Sequence, residues 1–316
     1  MFNFLARRFF SSIISVIGAT LAIFVLIQFH NDPRELFVPD SGYGISQEQW
    51  EALGDRLGLN DPLWKQYVDW VGRTLRGDLG VSLARDRAVT ELLRGKIGAT
   101  VQLAIGSWVF AIALGIPMGV LAAVKRGSGW DYFGRGLAIV GQAAPPFVTA
   151  LVAIWIFAVW LEWLPAGGRS PEFNWKEYIL PCTALGWGAA ASLMRLTRSS
   201  MLEVLDSEYI RLARAKGVNW NWVIYKHALR NALIVPVTSA LLTFSGWLNG
   251  ALVVEIVFSW PGIGYEALYR AVNDNDFPLL LGTVFIFILI YLVFATIADV
   301  AYTIIDPRVR LGDSSD

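Results

Sequence analysis

The sequence of 316 residues contains a single cysteine, Cys182, and only two histidines. An intrachain disulfide framework is thereby excluded, and a lone thiol cannot by itself make a cysteine-based metal site. Charge is scarce as well. Asp, Glu, Lys and Arg make up 16% of the chain, against about 25% in ordinary globular proteins. The 26 basic and 26 acidic side chains cancel, which leaves no net positive charge to neutralise phosphates and argues against a nucleic-acid partner. What is abundant is apolar: 55% hydrophobic residues, 14 Trp and a mean hydropathy of +0.49. That composition suits lipid rather than water.

Six stretches carry no charged residue at all: 9–29, 97–124, 136–161, 178–194, 231–254 and 277–298. A bilayer core of about 30 Å needs about 20 residues of helix, so each stretch can cross once. The sequence predicts an all-α polytopic membrane protein with six transmembrane helices. The first, preceded by Arg7 and Arg8, exceeds the apolar run of about 7 to 15 residues found in a signal peptide, and no clear cleavage signal follows it. A retained helix is expected. With the N-terminus in the cytoplasm, 14 of the 26 basic residues fall on inner segments, and nine lie in the outer loop 30–96, which is too long to set orientation. The other outer loops hold only Arg169, Lys176 and Arg270. Both termini are therefore expected to be cytoplasmic. The chain divides into the N-terminus and first span (1–29), an outer-loop subdomain (30–96), a core of five spans (97–305) with a cytoplasmic segment at 199–230, and a tail (306–316).

The outer loop carries its own helix signals. Ser46 and Gln49 fit a capping box, with Trp50, Leu53 and Leu57 at helical spacing. Asp61 is placed to cap a second helix with Pro62 at its first position, and Trp64, Tyr67, Val68 and Val71 form an apolar stripe. A packed cap on the membrane domain and a docking surface for an external partner are both compatible with this pattern.

In the third span Pro145 and Pro146 remove two backbone donors and should kink or break the helix. Within a bilayer such a break needs protein or a water-filled cavity around it, so it is either a pathway-lining kink or a structural bend. Gly115 with Pro117, and Pro236, are weaker instances. Glu255 and Asp299 end the fifth and sixth runs, where contact with the membrane interface is expected rather than a proton relay.

Between the fourth and fifth spans, 195–231 reads as helix, turn and helix on the cytoplasmic face. Asp206 or Ser207 can cap a helix running to Lys216, Gly217 can end it in a left-handed conformation, and Asn219 can cap the next. A basic loop that only sets topology would need no capped helix pair, nor Trp220, Trp222 and Tyr225. The segment looks built to touch another protein.

Taken with Leu57–Leu63, Arg76–Gly80, Leu164–Gly168, Glu255–Gly264 and Asp306–Arg310, the run Glu208–Gly217 resembles the integral membrane permeases of ATP-binding-cassette importers, in the dipeptide, oligopeptide and nickel branch. The similarity runs over nearly the whole chain. It implies that the cytoplasmic segment is a coupling helix fitting a groove on an ATPase, with Glu208, Arg211, Ala213, Ala215 and Gly217 as contact candidates. Trp260, Pro261 and Gly262 become candidates for an outer gate or a binding-protein contact. The general importer motif opens Glu-Ala-Ala; aligned on Gly217 this chain has Arg211, Leu212 and Ala213, so no role of that Glu carries over, Glu208 being nearby but not aligned. The implied partners are a homologous second permease subunit, two ATP-binding-cassette ATPases, an extracytoplasmic substrate-binding protein and membrane lipid, in the cytoplasmic (inner) membrane. No cofactor is expected on this chain, ATP and Mg being used by the ATPases. Peptides, nickel complexes, glutathione, opines and oligosaccharides are all cargoes of similar permeases.

The chain has no phosphate-loop sequence, since Gly95-Lys96 is followed by Ile97 and no Gly lies five residues before Gly95. It is therefore read as a permease subunit without its own ATPase site. An ion-coupled secondary transporter is the alternative, but it should carry ionisable groups inside the spans. An intramembrane protease lacks its midplane Asp dyad and its Gly-x-Ser-x-Gly elbow.

Overall fold

The computed structural model describes residues 2–30, 34, 46–244 and 247–305. Its architecture is helical; among the described residues the only extended pairing is an isolated bridge between Val81 and Ala88. The chain forms two compact units, one of residues 1–99 and 262–292, the other of 100–261 and 293–316.

The first unit begins with α1 (Phe2–His30). The capping box starts α2 (Gln47–Leu57) as expected, with Gln49 N–H donating to Ser46 Oγ and Ser46 N–H to Gln49 Oε1. Helix α3 (Leu63–Thr74) starts one residue later than predicted, with Pro62 at its cap position. Asp61 does not cap it; its carboxylate pairs with Lys65 Nζ at 2.8 Å. The α3 stripe divides between two faces. Tyr67, Trp70 and Val71 pack against Phe24 of α1 and against Leu281 and Phe285, whereas Trp64 and Val68 remain exposed. Tyr67 and Thr20 share a hydroxyl hydrogen bond of 2.9 Å.

A short α4 (Val89–Leu93) packs Val89 and Leu93 with Leu79, Ile263, Ala267 and Leu279. Gly282 admits this packing, because a Cβ there would lie 2.7 Å from Val89 Cγ1. Asp276, fully buried, caps the last helix, α15 (Phe277–Ile305), through Leu279 N–H. The same carboxylate accepts from Ser82 Oγ and from the Leu83 and Ala84 N–H groups.

The second unit is built around two long helices, α5 (Lys96–Val124), of which 100–124 belong here, and α8 (Trp175–Leu205). Small residues let their backbones approach. Added Cβ atoms on Gly115 and Gly119 would stand 2.6 Å from the carbonyl oxygens of Ala190 and Met194, and one on Gly106 2.6 Å from Cys182 Sγ. Pro117 sits inside α5 without breaking it.

The third apolar run differs from expectation in two ways. Its first helix, α6 (Gly129–Ala143), begins seven residues before Gly136, and it joins α7 (Pro146–Ala153), continued as a π-helical segment Ile154–Trp160, at a bend of 111°. That is far more than a kink. Two prolines in succession explain it: Ala144 and Pro145, each preceding a proline, take ψ of 122° and 149°, the extended region imposed by the following ring.

The fifth run is likewise interrupted. Helix α9 (Glu208–Ala215) is followed by α10 (Trp220–Trp222), a π-helical segment Val223–Ala228, α11 (Leu229–Ala232), α12 (Ile234–Phe244) and α13 (Trp247–Val257). Pro236 cannot donate to the Ala232 carbonyl four residues earlier, and Ser200 Oγ of α8 takes that acceptor instead at 2.8 Å. The first unit also holds a π-helical segment Gly264–Tyr269 and α14 (Arg270–Asn273).

By length and apolarity three described helices can cross a membrane, or four if the bent pair Gly129–Ala143 and Pro146–Trp160 is one span. Glu255 corrects a further expectation. It does not meet solvent at the end of its run but is fully buried in the protein, accepting from Thr100 Oγ1 at 2.6 Å. Asp299 is half-buried.

Candidate functional site

The segment after α8 takes the predicted form. Ser207 occupies the cap position of α9 without a side-chain cap; its hydroxyl donates backward to the Val204 carbonyl. At the other end Gly217 has φ +78°. Its N–H reaches Arg214 O at 3.0 Å, and Val218 N–H reaches Ala213 O at 3.3 Å. These two bonds are the Schellman closure that a left-handed residue permits. Asn219 then caps α10 by accepting from Asn221 N–H.

One residue fastens α9 to the body. Ile210 is fully buried and packs with Ala123, Met201, Val223, Ile224 and Ala228, a burial that stabilises by about 1.5–3 kcal/mol. Ala213 faces the same cluster, so its side chain holds the helix from within. Tyr209 adds a polar tie: its hydroxyl donates to His227 O at 3.3 Å and accepts from Asn231 Nδ2 at 3.0 Å. The other face is uncovered. Glu208, Arg211, Ala215 and Gly217 are exposed, and Leu212 is 58% exposed between them. Trp222 and Tyr225 are exposed alongside, and Arg214 and Lys226 lie over the rings of Trp220 and Trp222 at 5.1 and 5.2 Å. Leu212 is thus an exposed apolar side chain on a helix anchored by its other face.

A charged cluster that sequence reasoning missed lies on the same unit. Asp131, in the first turn of α6, is buried and held two-pronged by Arg198 of α8. The partners are 67 residues apart, and each looks like an ordinary charge of a basic loop, so no local pattern announces the pair.

At the opposite end of α8, two of the family-like motifs meet. The loop at Gly167-Gly168 docks on the end of α13, with Gly168 N–H donating to Phe258 O at 2.7 Å. Beside it Arg169 donates to Gln102 Oε1 (2.8 Å) and Tyr178 OH (3.1 Å) and lies 5.8 Å from the centre of the Trp260 ring. Tyr178 meets that ring edge-on at 4.9 Å. Trp260 is fully buried. Gly262 is also buried, and Pro261 is half-buried. Pro145 and Pro146 stand at the 111° bend.

The chain combines apolar helices long enough to cross a membrane with a short helix, α9, that is exposed on one face. Its sequence matches the family described as binding-protein-dependent transport system inner membrane component over residues 115–311, and the N-terminal region of such membrane components over residues 1–104. The chain belongs to this family and is a permease subunit of an ATP-binding-cassette importer, in the dipeptide and oligopeptide branch. It is similar to the dipeptide transport system permease protein DppB of Alkalihalophilus pseudofirmus, 37% identical over 336 residues that cover 98% of this chain and 100% of the relative. It is also similar to the glutathione transport system permease protein GsiC of Escherichia coli K12, 34% identical over 311 residues, 98% and 99% of the two chains. Among solved structures it resembles the MetNI methionine ABC transporter in an inward-facing conformation, with a TM-score of 0.57 at 18% identity over 68% of this chain and 96% of that one. An amino acid ABC transporter gives 0.53 at 14% identity, covering 67% and 94%. These two likenesses speak for the fold. Membership in this family does not favour the ion-coupled alternative.

Proposed function

We propose that this chain forms half of a translocation pathway for peptides or a similar small solute, and that α9 is the element through which a partner ATPase moves it. The observation that carries the reading is the two-faced construction of α9, anchored inward by Ile210 and Ala213 while Leu212, Arg211 and Ala215 stay uncovered. A peptide cargo is supported by the names of the relatives, which transport dipeptide and glutathione. The assembly comprises a homologous second permease, two cytoplasmic ATPases that use ATP and Mg, and a substrate-binding protein on the outer side. In this reading the chain crosses the inner membrane six times with both termini cytoplasmic, the second half-span of the bent pair and the α12–α13 pair each completing a crossing. Glu208, Arg211, Ala215 and Gly217 meet the ATPase, and Leu212 joins them as the apolar contact. The Arg169–Trp260 cluster positions the outer end of the pathway, and Pro145–Pro146 line the bend.

Leu212→Asp tests the docking face directly. The permease should remain folded in detergent, because Leu212 is 58% exposed, while the ATPases no longer copurify with it. Full retention of the ATPases by this variant would remove α9 from the interface.

A further inference from the structure

Asp131 uses both of its carboxylate oxygens. Arg198 donates Nε–H to Oδ1 at 2.7 Å and Nη2–H to Oδ2 at 3.1 Å, and the Gly127 N–H donates to Oδ2 at 2.9 Å. A second cation, Arg135, stands one turn further along α6, its Nε 3.4 Å from Oδ1 and its side chain 46% exposed. Its guanidinium rests over the Tyr132 ring at 4.6 Å. One buried carboxylate therefore has two arginines, one fixed on α8 and one riding on its own helix.

The remaining contact between α6 and α8 is close packing of small residues. Gly141 lies so near α8 that a Cβ would stand 2.6 Å from Ala191 Cβ, and one on Gly134 would stand 3.6 Å from Met194 Sδ. Such small-residue surfaces permit close approach without directional bonds. The ion pair is the directional one. From Arg198 the helix continues unbroken to Leu205 and turns into α9, while α6 ends at the Ala144–Pro145 break.

We propose that Asp131 is a positioning residue of the coupling machinery: its pair with Arg198 fastens α6 to the α8–α9 body in one state of the transport cycle, and Arg135 takes over the carboxylate when α8 moves away. Movement imposed on α9 then reaches the Pro145 bend through α6. The inference rests on the coupling role proposed for α9. Arg135 has a purpose in this scheme that a static clamp would not give it. Leaving a buried carboxylate without a cationic partner is strongly unfavourable, and an arginine that travels with Asp131 keeps it paired throughout the motion.

The test uses the complete complex with its ATPases and binding protein, reconstituted in liposomes, reading both ATP hydrolysed per solute imported and the binding-protein-stimulated turnover. Arg135→Gln leaves the Arg198 contact in place; it is expected to slow stimulated turnover about fivefold or more with thermal stability unchanged. Asp131→Asn should raise the ATP used per solute by a similar factor, and Asp131→Glu should restore most of the coupling. Gly217→Val is run in parallel. If it uncouples transport while Arg135→Gln keeps wild-type turnover, the hand-over is wrong and the α9 reading stands. Wild-type behaviour of Gly217→Val would instead overturn the α9 reading itself. Should Asp131→Asn fail to assemble, Arg135→Gln alone decides, and unchanged turnover overturns the proposal.

Discussion

Gly167 lies against the backbone of Phe258 so closely that a Cβ would stand 2.3 Å from the Phe258 carbonyl oxygen. That carbonyl is the acceptor for Gly168 N–H, so the loop that carries Arg169 is held against Phe258 by backbone contact, beside the side-chain bonds of Arg169 to Gln102 and Tyr178 and of Ser170 to Glu177. Gly167→Ala must push the loop off α13 and break the 2.7 Å bond. A loss of about 1–3 kcal/mol is expected from such overpacking. Gly168→Ala, at φ +83° with open space around the position, meets only conformational strain, roughly 1 kcal/mol. Thermal unfolding of the purified permease in detergent, followed by loss of the monodisperse chromatographic peak, should rank wild type above Gly168→Ala above Gly167→Ala. Equal stability of all three would mean that the docked loop is not part of the folded core.

Gly217 allows a cleaner separation of shape from contact. Nothing lies within 4 Å of a Cβ added there, and its φ is +78°, so substitution acts through backbone conformation only. Asn tolerates the left-handed region and Val does not. Gly217→Asn should therefore retain most coupling of ATP hydrolysis to uptake, and Gly217→Val should lose it, with the permease equally abundant in both. The measurement is solute imported per ATP in the reconstituted complex. Identical coupling in the two variants would show that the turn after α9 transmits nothing.

The difference between what was legible in the sequence and what was not follows the range of the interaction. Ser46 with Gln49 and Gly217 after Lys216 are local signals, and the structure carries the capping box and the left-handed turn at those positions. The prolines at 145 and 146 announced a break, but its 111° depends on two extended residues in a row. Asp61 falls one position before the cap of α3, and its carboxylate pairs with Lys65 instead. The burial of Glu255 was not legible because its donor, Thr100, lies 155 residues away. Ser259, at φ +49°, closes α13 in the left-handed region without being glycine: its N–H meets Ile256 O, and Trp260 N–H meets Glu255 O. No sequence pattern marks it.

Orientation is testable with single cysteines in a Cys182→Ala background, the native thiol being buried. Gly127 and Gly217, both in open turns of positive φ, are expected to react with an impermeant thiol reagent only after the cells are opened. Phe173→Cys, on an exposed loop position, should react in intact cells. Labelling of Gly217→Cys from outside would reverse the topology and with it the ATPase-facing role of α9.

Glu255 offers the sharpest distinction between an ATP-driven permease and an ion-coupled carrier. A fully buried carboxylate in a membrane protein is a natural candidate for proton coupling. Its setting points instead to structure. Thr100 Oγ1 donates to it at 2.6 Å, and the backbone just beyond it closes α13 through Trp260 N–H to Glu255 O at 2.8 Å. Glu255→Gln keeps an acceptor for Thr100 while removing the titrating group, so uptake by the reconstituted complex should continue with ATP and remain indifferent to an imposed pH gradient. Thr100→Val leaves the carboxylate without that donor and should cost about 1–3 kcal/mol of stability, partly recovered in Thr100→Ser. A permease whose uptake in proteoliposomes collapses in Glu255→Gln, and whose wild type accumulates solute from a pH gradient without ATP, would be an ion-coupled carrier. The expected pattern is the reverse: stability follows the Thr100 hydroxyl, and transport follows ATP.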